Sequence, residues 1–91
     1  LQAQSMARHV VGRKLAACAQ ISEIQSVYTW NGALQDEKEF RILFKSTRAA
    51  YPALEAAIRE LHAYELPAIH ALAFDHVSAP YAAWIDSQVA L

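Results

Sequence analysis

The segment LHAYELPAI, residues 61–69, constrains the fold most, because a helix must stop and an extended segment must begin within it. Pro67 cannot continue a helix, and it biases the residue before it toward extended geometry. Leu61 is the last residue of an apolar helical pattern, so the chain must reverse direction between Leu61 and Pro67. Three polar side chains lie in this reversal: His62, Tyr64 and Glu65. An imidazole, a phenol and a carboxylate can bind metals, transfer protons or recognise polar ligands, so this junction is the first candidate for a functional site.

Two segments with strand-like composition flank Asn31-Gly32, a dipeptide typical of tight hairpin turns. An apolar and β-branched run extends from Leu15 to Trp30, and the segment EKEFRILFKS, residues 37–46, follows the turn. In the second segment the apolar side chains of Phe40, Ile42 and Phe44 alternate with those of Glu39, Arg41, Leu43 and Lys45. The alternation predicts an antiparallel hairpin that packs one face on helices.

Three helices and a third strand complete the predicted order. Apolar residues at helical spacing predict a first helix over residues 2–14. Ser46 or Thr47 can cap a second helix, whose buried stripe is Ala50, Leu54, Ala57, Ile58 and Leu61. The segment AIHALAF, residues 68–74, predicts a third strand, and a short C-terminal helix begins near Ser78 or Pro80. The predicted order is therefore αββαβα.

This order lacks only one leading strand of the split βαβ arrangement of ferredoxin-like folds. We predict an α+β sandwich with an antiparallel sheet, helices on one face and a C-terminal helix, in a single domain over residues 1–91. The leading strand of such a sheet is central, and unpaired backbone groups in a central strand are costly. We therefore expect that a strand preceded Leu1 in the natural protein, or that another copy of the chain or a register change fills the gap.

Composition limits the partners and the compartment. The formal charge of −1, with acids and bases interspersed, gives no basic stripe for nucleic acid. No apolar run approaches the roughly 20 residues that span a bilayer, and the single cysteine excludes an internal disulfide and fits a reducing cytosol. A chain of 91 residues that is 55% hydrophobic is expected to cover part of its surface with a partner subunit. We predict a cytosolic, self-associating protein that binds neither nucleic acid nor membrane.

Motifs for catalysis and for strong metal binding are absent from the sequence. There is no HExxH, CxxC or paired-histidine motif, and two glycines do not make a phosphate-binding loop. Cys18 lies in an apolar strand, which favours an inert buried residue over a thiolate ligand. His70 lies inside the third predicted strand, which favours a core or interface role, and His9 and His76 have no partner at metal-ligand spacing. We predict that the protein is not an enzyme.

Four sequence blocks together resemble the CutA family, often called divalent cation tolerance proteins. They are KLAACAQI (14–21), SVYTWNG (26–32), EFRILFKST (39–47) and LHAYELPAI (61–69), and the final SAPYAAWI resembles the closing helix of the family. The resemblance implies a ferredoxin-like subunit in a compact homotrimer, with long hairpin strands pairing across subunits, and an architecture similar to that of the PII signalling proteins. It also implies a role in divalent cation tolerance and in the response to metal ions. Ala33 and Ala63 depart from the family, which usually has lysine and proline there.

The copper site proposed for bacterial members maps only partly onto this chain. That site combines a cysteine of the first strand with histidine at the junction, and here only His62 matches, since Leu61 stands where some relatives have a second histidine. We predict that His62 and Glu65, supplemented by a neighbouring subunit, bind copper or another divalent cation weakly. The alternatives are a helix-terminal histidine that bonds the last carbonyls and a glutamate in a salt bridge.

Two other functions stay open on the sequence alone. One is a small-molecule or signalling module like the PII proteins, with an intersubunit cleft lined by Trp30, Lys45 and Tyr64. Aromatic packing at an interface is the alternative role for Trp30 and Tyr64. The other is a trimeric scaffold that binds no small ligand.

Overall fold

A computed structural model describes residues 2–62 and 66–90. Its elements are the helix α1 (Gln2–Gly12), the strands β1 (Cys18–Trp30) and β2 (Ala33–Lys45), and the helices α2 (Tyr51–Leu61) and α3 (Ala79–Gln88). Two residues of the predicted site, Tyr64 and Glu65, lie outside the described residues. The predicted helices and hairpin are all present, in the predicted order.

β1 and β2 form a long antiparallel hairpin. The register pairs Trp30 with Ala33 at the tip and Cys18 with Lys45 at the base. Asn31 and Gly32 both have positive φ, 51° and 78°, as a two-residue type I′ turn requires. The predicted hairpin is confirmed, and β2 begins at Ala33, earlier than the predicted start of the second strand.

The register gives the hairpin two unlike faces. The helix face carries Phe40, Ile42 and Phe44, and two of these, Ile42 and Phe44, pack against the core formed by the helices. The opposite face, called the open face below, consists of Cys18, Gln20, Ser22, Ile24, Ser26, Tyr28 and Trp30 of β1 with Ala33, Gln35, Glu37, Glu39, Arg41, Leu43 and Lys45 of β2. The predicted division of the second strand between the two faces is confirmed.

α1 and α2 cover the base of the helix face and form the hydrophobic core. Its buried residues are Met6, Val10, Leu15, Ala16, Leu54 and Ala57. A second buried cluster joins α3 to the rest of the chain, and it consists of Ala17, Ala50, Ile85 and Val89. None of the buried residues comes from β1 or β2, so in the described part of the chain the strands have no fully buried side chain.

α1 ends two residues before its predicted end, in a hydrogen-bonded turn. The amide of Leu15 donates to the Val10 carbonyl at 3.2 Å, and the amide of Lys14 donates to the Val11 carbonyl at 3.0 Å. These two bonds form a Schellman motif, in which Lys14 has the left-handed φ of 61°. Leu15 and Val10 both belong to the core. The turn therefore directs Leu15 into the core, and the strand begins at Cys18.

Side-chain hydroxyls form hydrogen bonds just before α2 and at the start of α3. The Thr47 hydroxyl accepts a hydrogen bond from the Ala50 amide at 3.2 Å, whereas the Ser46 hydroxyl donates to the Leu15 carbonyl at 2.7 Å. The N-cap of α2 is Ala50, which has no side-chain cap hydrogen bond, so the prediction that Ser46 or Thr47 caps this helix is wrong. Thr47 instead closes the turn that precedes the helix. The Ser78 hydroxyl accepts from the Tyr81 amide at 3.4 Å, which confirms the predicted start of the C-terminal helix. Leu61 was predicted to be buried, and this is wrong, because its side chain is exposed at the last turn of α2.

The predicted third strand, residues 68–74, is not formed. Among the described residues the sheet contains β1 and β2 alone, and no backbone–backbone hydrogen bond between described residues involves residues 66–77. A strand requires a hydrogen-bonded neighbour, and in a ferredoxin-like sheet this segment pairs with the leading strand. β1 and β2 are not that neighbour, so the segment stays unpaired and Leu72 is 86% exposed.

Candidate functional site

His62 lies directly after the last turn of α2. Its amide donates to the Ile58 carbonyl at 2.9 Å, and its φ of −80° and ψ of 137° are extended, so the helix ends at this residue. The side chain is half-buried. The predicted position at a helix C terminus is therefore confirmed. A neutral imidazole at this position can act as a metal ligand.

One chain does not bring the predicted metal ligands together among its described residues. In residues 2–62 and 66–90, no three His, Cys, Asp or Glu side chains lie close enough to hold a metal ion. Glu65, the predicted second ligand, lies outside that part of the chain. One imidazole alone does not make a metal site. The described structure thus supplies one predicted ligand, His62.

The predicted cleft residues Trp30 and Lys45 lie at opposite ends of the hairpin. Trp30 pairs with Ala33 at the tip, and Lys45 pairs with Cys18 at the base. Twelve steps along a strand separate the two ends by roughly 40 Å. Within one chain they cannot line the same cleft. A cleft that contains both must take them from different subunits, and Tyr64, the third predicted residue, is not described.

Cys18 is half-buried, so its predicted full burial is wrong. As the first residue of β1, it lies at the end of the sheet, and its Sγ is 3.8 Å from the hydroxyl oxygen of Tyr81 on α3. This hydrogen bond raises the pKa of the Tyr81 hydroxyl above its ordinary value. The Tyr81 ring stacks on Trp84 with 5.9 Å between ring centroids. Sequence periodicity gave no indication of this contact, because its partners are 63 positions apart.

The other histidines do not add to a site in the described chain. Just after α1, the Nη1 atom of Arg13 lies 3.2 Å from the Nε2 atom of His9, which is four residues earlier. His70 and His76 are exposed, so a core role for His70 is wrong for a single chain. An interface role for His70 stays a prediction.

A polar cluster on α2, missed by the sequence analysis, precedes His62. The Tyr51 hydroxyl donates to Oε1 of Glu55 at 2.7 Å, and Nε of Arg59 lies 3.3 Å from Oε2 of the same carboxylate. The Tyr51 hydrogen bond, followed by that of Arg59, lowers the pKa of Glu55, and the bond to Glu55 raises the pKa of Tyr51. The sequence did contain a signal for this cluster, because Tyr51, Glu55 and Arg59 follow one another at intervals of four residues, which places them on one face of a helix. The cluster links two successive turns of the helix that ends at His62.

Comparisons with known proteins agree with this fold over nearly the whole chain. Residues 1–88 match the family described as CutA1 divalent ion tolerance protein. A Thermotoga maritima relative, named divalent-cation tolerance protein CutA, is 34% identical over 88 residues, which are 97% of this chain and 87% of the relative. The chain spans about half the length of the mammalian relatives that it matches, 48% for the mouse Protein CutA.

Solved structures show the same architecture. The PII-like protein CutA from Nostoc sp. PCC 7120 superposes with a TM-score of 0.92 at 26% identity, covering 97% of this chain and 86% of that one. The periplasmic divalent cation tolerance protein CutA from Archaeoglobus fulgidus also gives 0.92 at 26% identity, covering 96% and 85%. The α+β, ferredoxin-like fold predicted from the sequence is thereby confirmed. Within the described residues, no helix combines the length and apolar character needed to cross a bilayer.

Proposed function

The chain belongs to the CutA1 divalent ion tolerance family, and we propose that it acts in divalent cation tolerance as a non-catalytic homotrimer that binds a divalent cation weakly. The family match over residues 1–88 carries this proposal. The position of His62 supports it, because the residue is anchored at the end of α2 by its backbone while its side chain is only half-buried. The homotrimer, the cation and its ligands are each open to a separate test.

Exposed apolar side chains on the hairpin support self-association. Val27, Leu34 and Phe40 are 62%, 75% and 59% exposed, and all three lie on the helix face, where the helices of their own chain leave them largely uncovered. Soluble monomers rarely expose so much apolar surface together, and extended apolar patches are typical of protein interfaces. Neighbouring subunits that cover the outer half of each hairpin would remove this surface from water.

Ligand chemistry supports copper or another divalent cation at His62. Imidazole nitrogen and carboxylate oxygen are suitable ligands for Cu²⁺, and imidazole also suits Zn²⁺. His62 and Glu65 would supply one ligand of each type, and a neighbouring subunit would supply the rest. We expect weak binding, because a site assembled across subunits from so few ligands is incompletely organised before the cation arrives.

Calorimetric titration with Cu²⁺ tests this site. His62→Ala should abolish most of the binding heat seen with the wild-type protein, because it removes the imidazole ligand. His76→Ala is the matched control, since it removes an exposed imidazole that lies on another segment of the chain. Wild-type protein that binds no Cu²⁺, or His62→Ala protein that binds it as the wild type does, would contradict the proposed site.

We place the protein in the cytosol on the basis of Cys18, a free thiol that is only half-buried. The reducing environment would keep this thiol from oxidation. Fractionation of cells that express the natural gene tests the assignment. Recovery of the protein with periplasmic markers, the location named for the Archaeoglobus relative, would contradict it.

A second candidate function is that of a PII-like module for a small ligand, which the likeness to the Nostoc protein favours. The ligand would occupy a cleft with Trp30 of one subunit, Lys45 of another and Tyr64. A thermal-shift series with nucleotides, amino acids and metal ions tests it, because a ligand stabilises the folded state that binds it. A shift with one organic ligand and none with metals would favour the module over the cation site.

A further inference from the structure

We propose that the open face of the hairpin joins subunits through segregated charges, with the acidic half of β2 in one copy placed against the basic half of β2 in the next. This inference rests on the proposed homotrimer and specifies how its subunits meet. The occupant of the open face is thus a second copy of this chain.

The charged side chains of the open face are separated along β2. Glu37 and Glu39 lie toward the tip, while Arg41 and Lys45 lie toward the base. β1 adds no charged side chain to this face, since its residues there are Cys18, Gln20, Ser22, Ile24, Ser26, Tyr28 and Trp30. The face therefore has an acidic half and a basic half, with no charge of the opposite sign in either.

None of these four charges forms an ion pair within the described part of its own chain. The salt bridge found there joins Arg59 to Glu55 on α2. Glu39 accepts a hydrogen bond from the Ser26 hydroxyl at 2.9 Å, and Lys45 donates one to Oε1 of Gln20 at 2.7 Å. Both partners are neutral cross-strand neighbours that orient the charged groups. The charges themselves remain available to another chain.

The separation of acidic from basic side chains suits an oligomer with ring symmetry. A cyclic oligomer with more than two subunits uses two different patches on each subunit, and each patch meets the other kind on its neighbour. The two halves of the open face are such a pair of patches. Placing the tip of one hairpin over the base of the next brings Glu37 and Glu39 toward Arg41 and Lys45, whereas tip-on-tip contact would oppose like charges. Leu43, which is 49% exposed between the two basic residues, adds apolar area to the same contact.

Charge reversal tests the contact, with native mass by light scattering measured over a dilution series. The variants Glu37→Lys/Glu39→Lys and Arg41→Glu/Lys45→Glu should each raise the concentration at which the trimer dissociates by roughly tenfold or more. Combining all four substitutions restores complementary halves with the signs exchanged, so the quadruple variant should regain the trimer. Two matched controls make the same changes in net charge at exposed positions off the hairpin: Glu60→Lys/Asp86→Lys for the first double variant and Arg8→Glu/Arg13→Glu for the second.

The outcomes separate this inference from the homotrimer itself. A wild-type monomer would overturn both. Suppose that the wild type is a trimer. If neither double variant weakens it more than its matched control does, or if the quadruple variant does not form a trimer, the charge contact alone is overturned. If the wild type is a dimer that the double variants dissociate and the quadruple variant restores, the charge contact stands and the homotrimer is overturned. If a variant loses the circular dichroism spectrum of the folded protein, the wild-type protein is tested instead. Added salt should promote dissociation of the wild-type trimer, and a native mass that does not change with salt concentration would refute the charge contact.

Discussion

Replacing Lys14 with glycine is expected to stabilise the protein, because Lys14 holds a left-handed backbone conformation where α1 ends. Its φ is 61°, and its amide and that of Leu15 both bond back to the last turn of the helix. A residue with a Cβ atom pays about 1–2 kcal/mol in this conformation. Glycine avoids that cost but loses about 0.5–1 kcal/mol more conformational entropy on folding. The net gain is about 0–1.5 kcal/mol, with a central value of about 0.75 kcal/mol.

Thermal unfolding at matched protein concentration measures the effect. For a domain of this size the central value corresponds to an increase in Tm of about 3–6 °C. Lys14→Ala is the control, because it removes the same exposed side chain but keeps a Cβ atom, and we expect it to change stability by less than about 0.5 kcal/mol. If Lys14→Gly and Lys14→Ala melt together, the left-handed strain assigned to this position is refuted.

Three further perturbations follow from the core, the glycines and the α2 cluster. Val10→Ala should lower the free energy of unfolding in urea by about 2 kcal/mol, since Val10 is fully buried and the change removes two methyl groups and leaves a cavity. An unchanged urea midpoint would contradict the described core. Gly32→Ala should destabilise by about 1 kcal/mol because φ is 78°, whereas Gly12→Ala adds a Cβ into open space and should be neutral or stabilising in the same melts. The pKa of Glu55 is depressed, so its ionisation stabilises the fold above its unfolded pKa, and this contribution is lost as the pH falls through the lower folded value. Tyr51→Phe should raise the pKa of Glu55 in a carboxyl NMR titration, and an unchanged titration would rule out the hydrogen bond.

Local sequence signals predicted the hairpin because its determinants are neighbours in the chain. Asn31-Gly32 specifies the turn, and the alternation around Phe40, Ile42 and Phe44 specifies which face packs on helices. The same local logic placed the start of α3 at Ser78. Leu15 was assigned to the strand because its composition suits one, but the Schellman turn at Lys14 directs it into the core. An apolar residue can satisfy either environment, so composition alone could not separate them.

The errors concern contacts that local patterns do not encode. The segment at residues 68–74 has strand composition, yet a strand forms only with a hydrogen-bonded neighbour, and the described chain offers none. Leu61 fits the apolar period of α2 but falls on its last turn, where the side chain stays 37% exposed. For the candidate site, the sequence correctly predicted that His62 lies at the end of a helix. Its co-ligands could not be predicted, because they depend on how subunits meet.

The native mass of the wild-type protein tests the central claim most directly, since the cation site and the charge contact both require neighbouring subunits. Light scattering at concentrations used for the titrations should give about three times the chain mass of 10.1 kDa. A mass equal to one chain throughout the dilution series would contradict the assembly on which the proposed function depends.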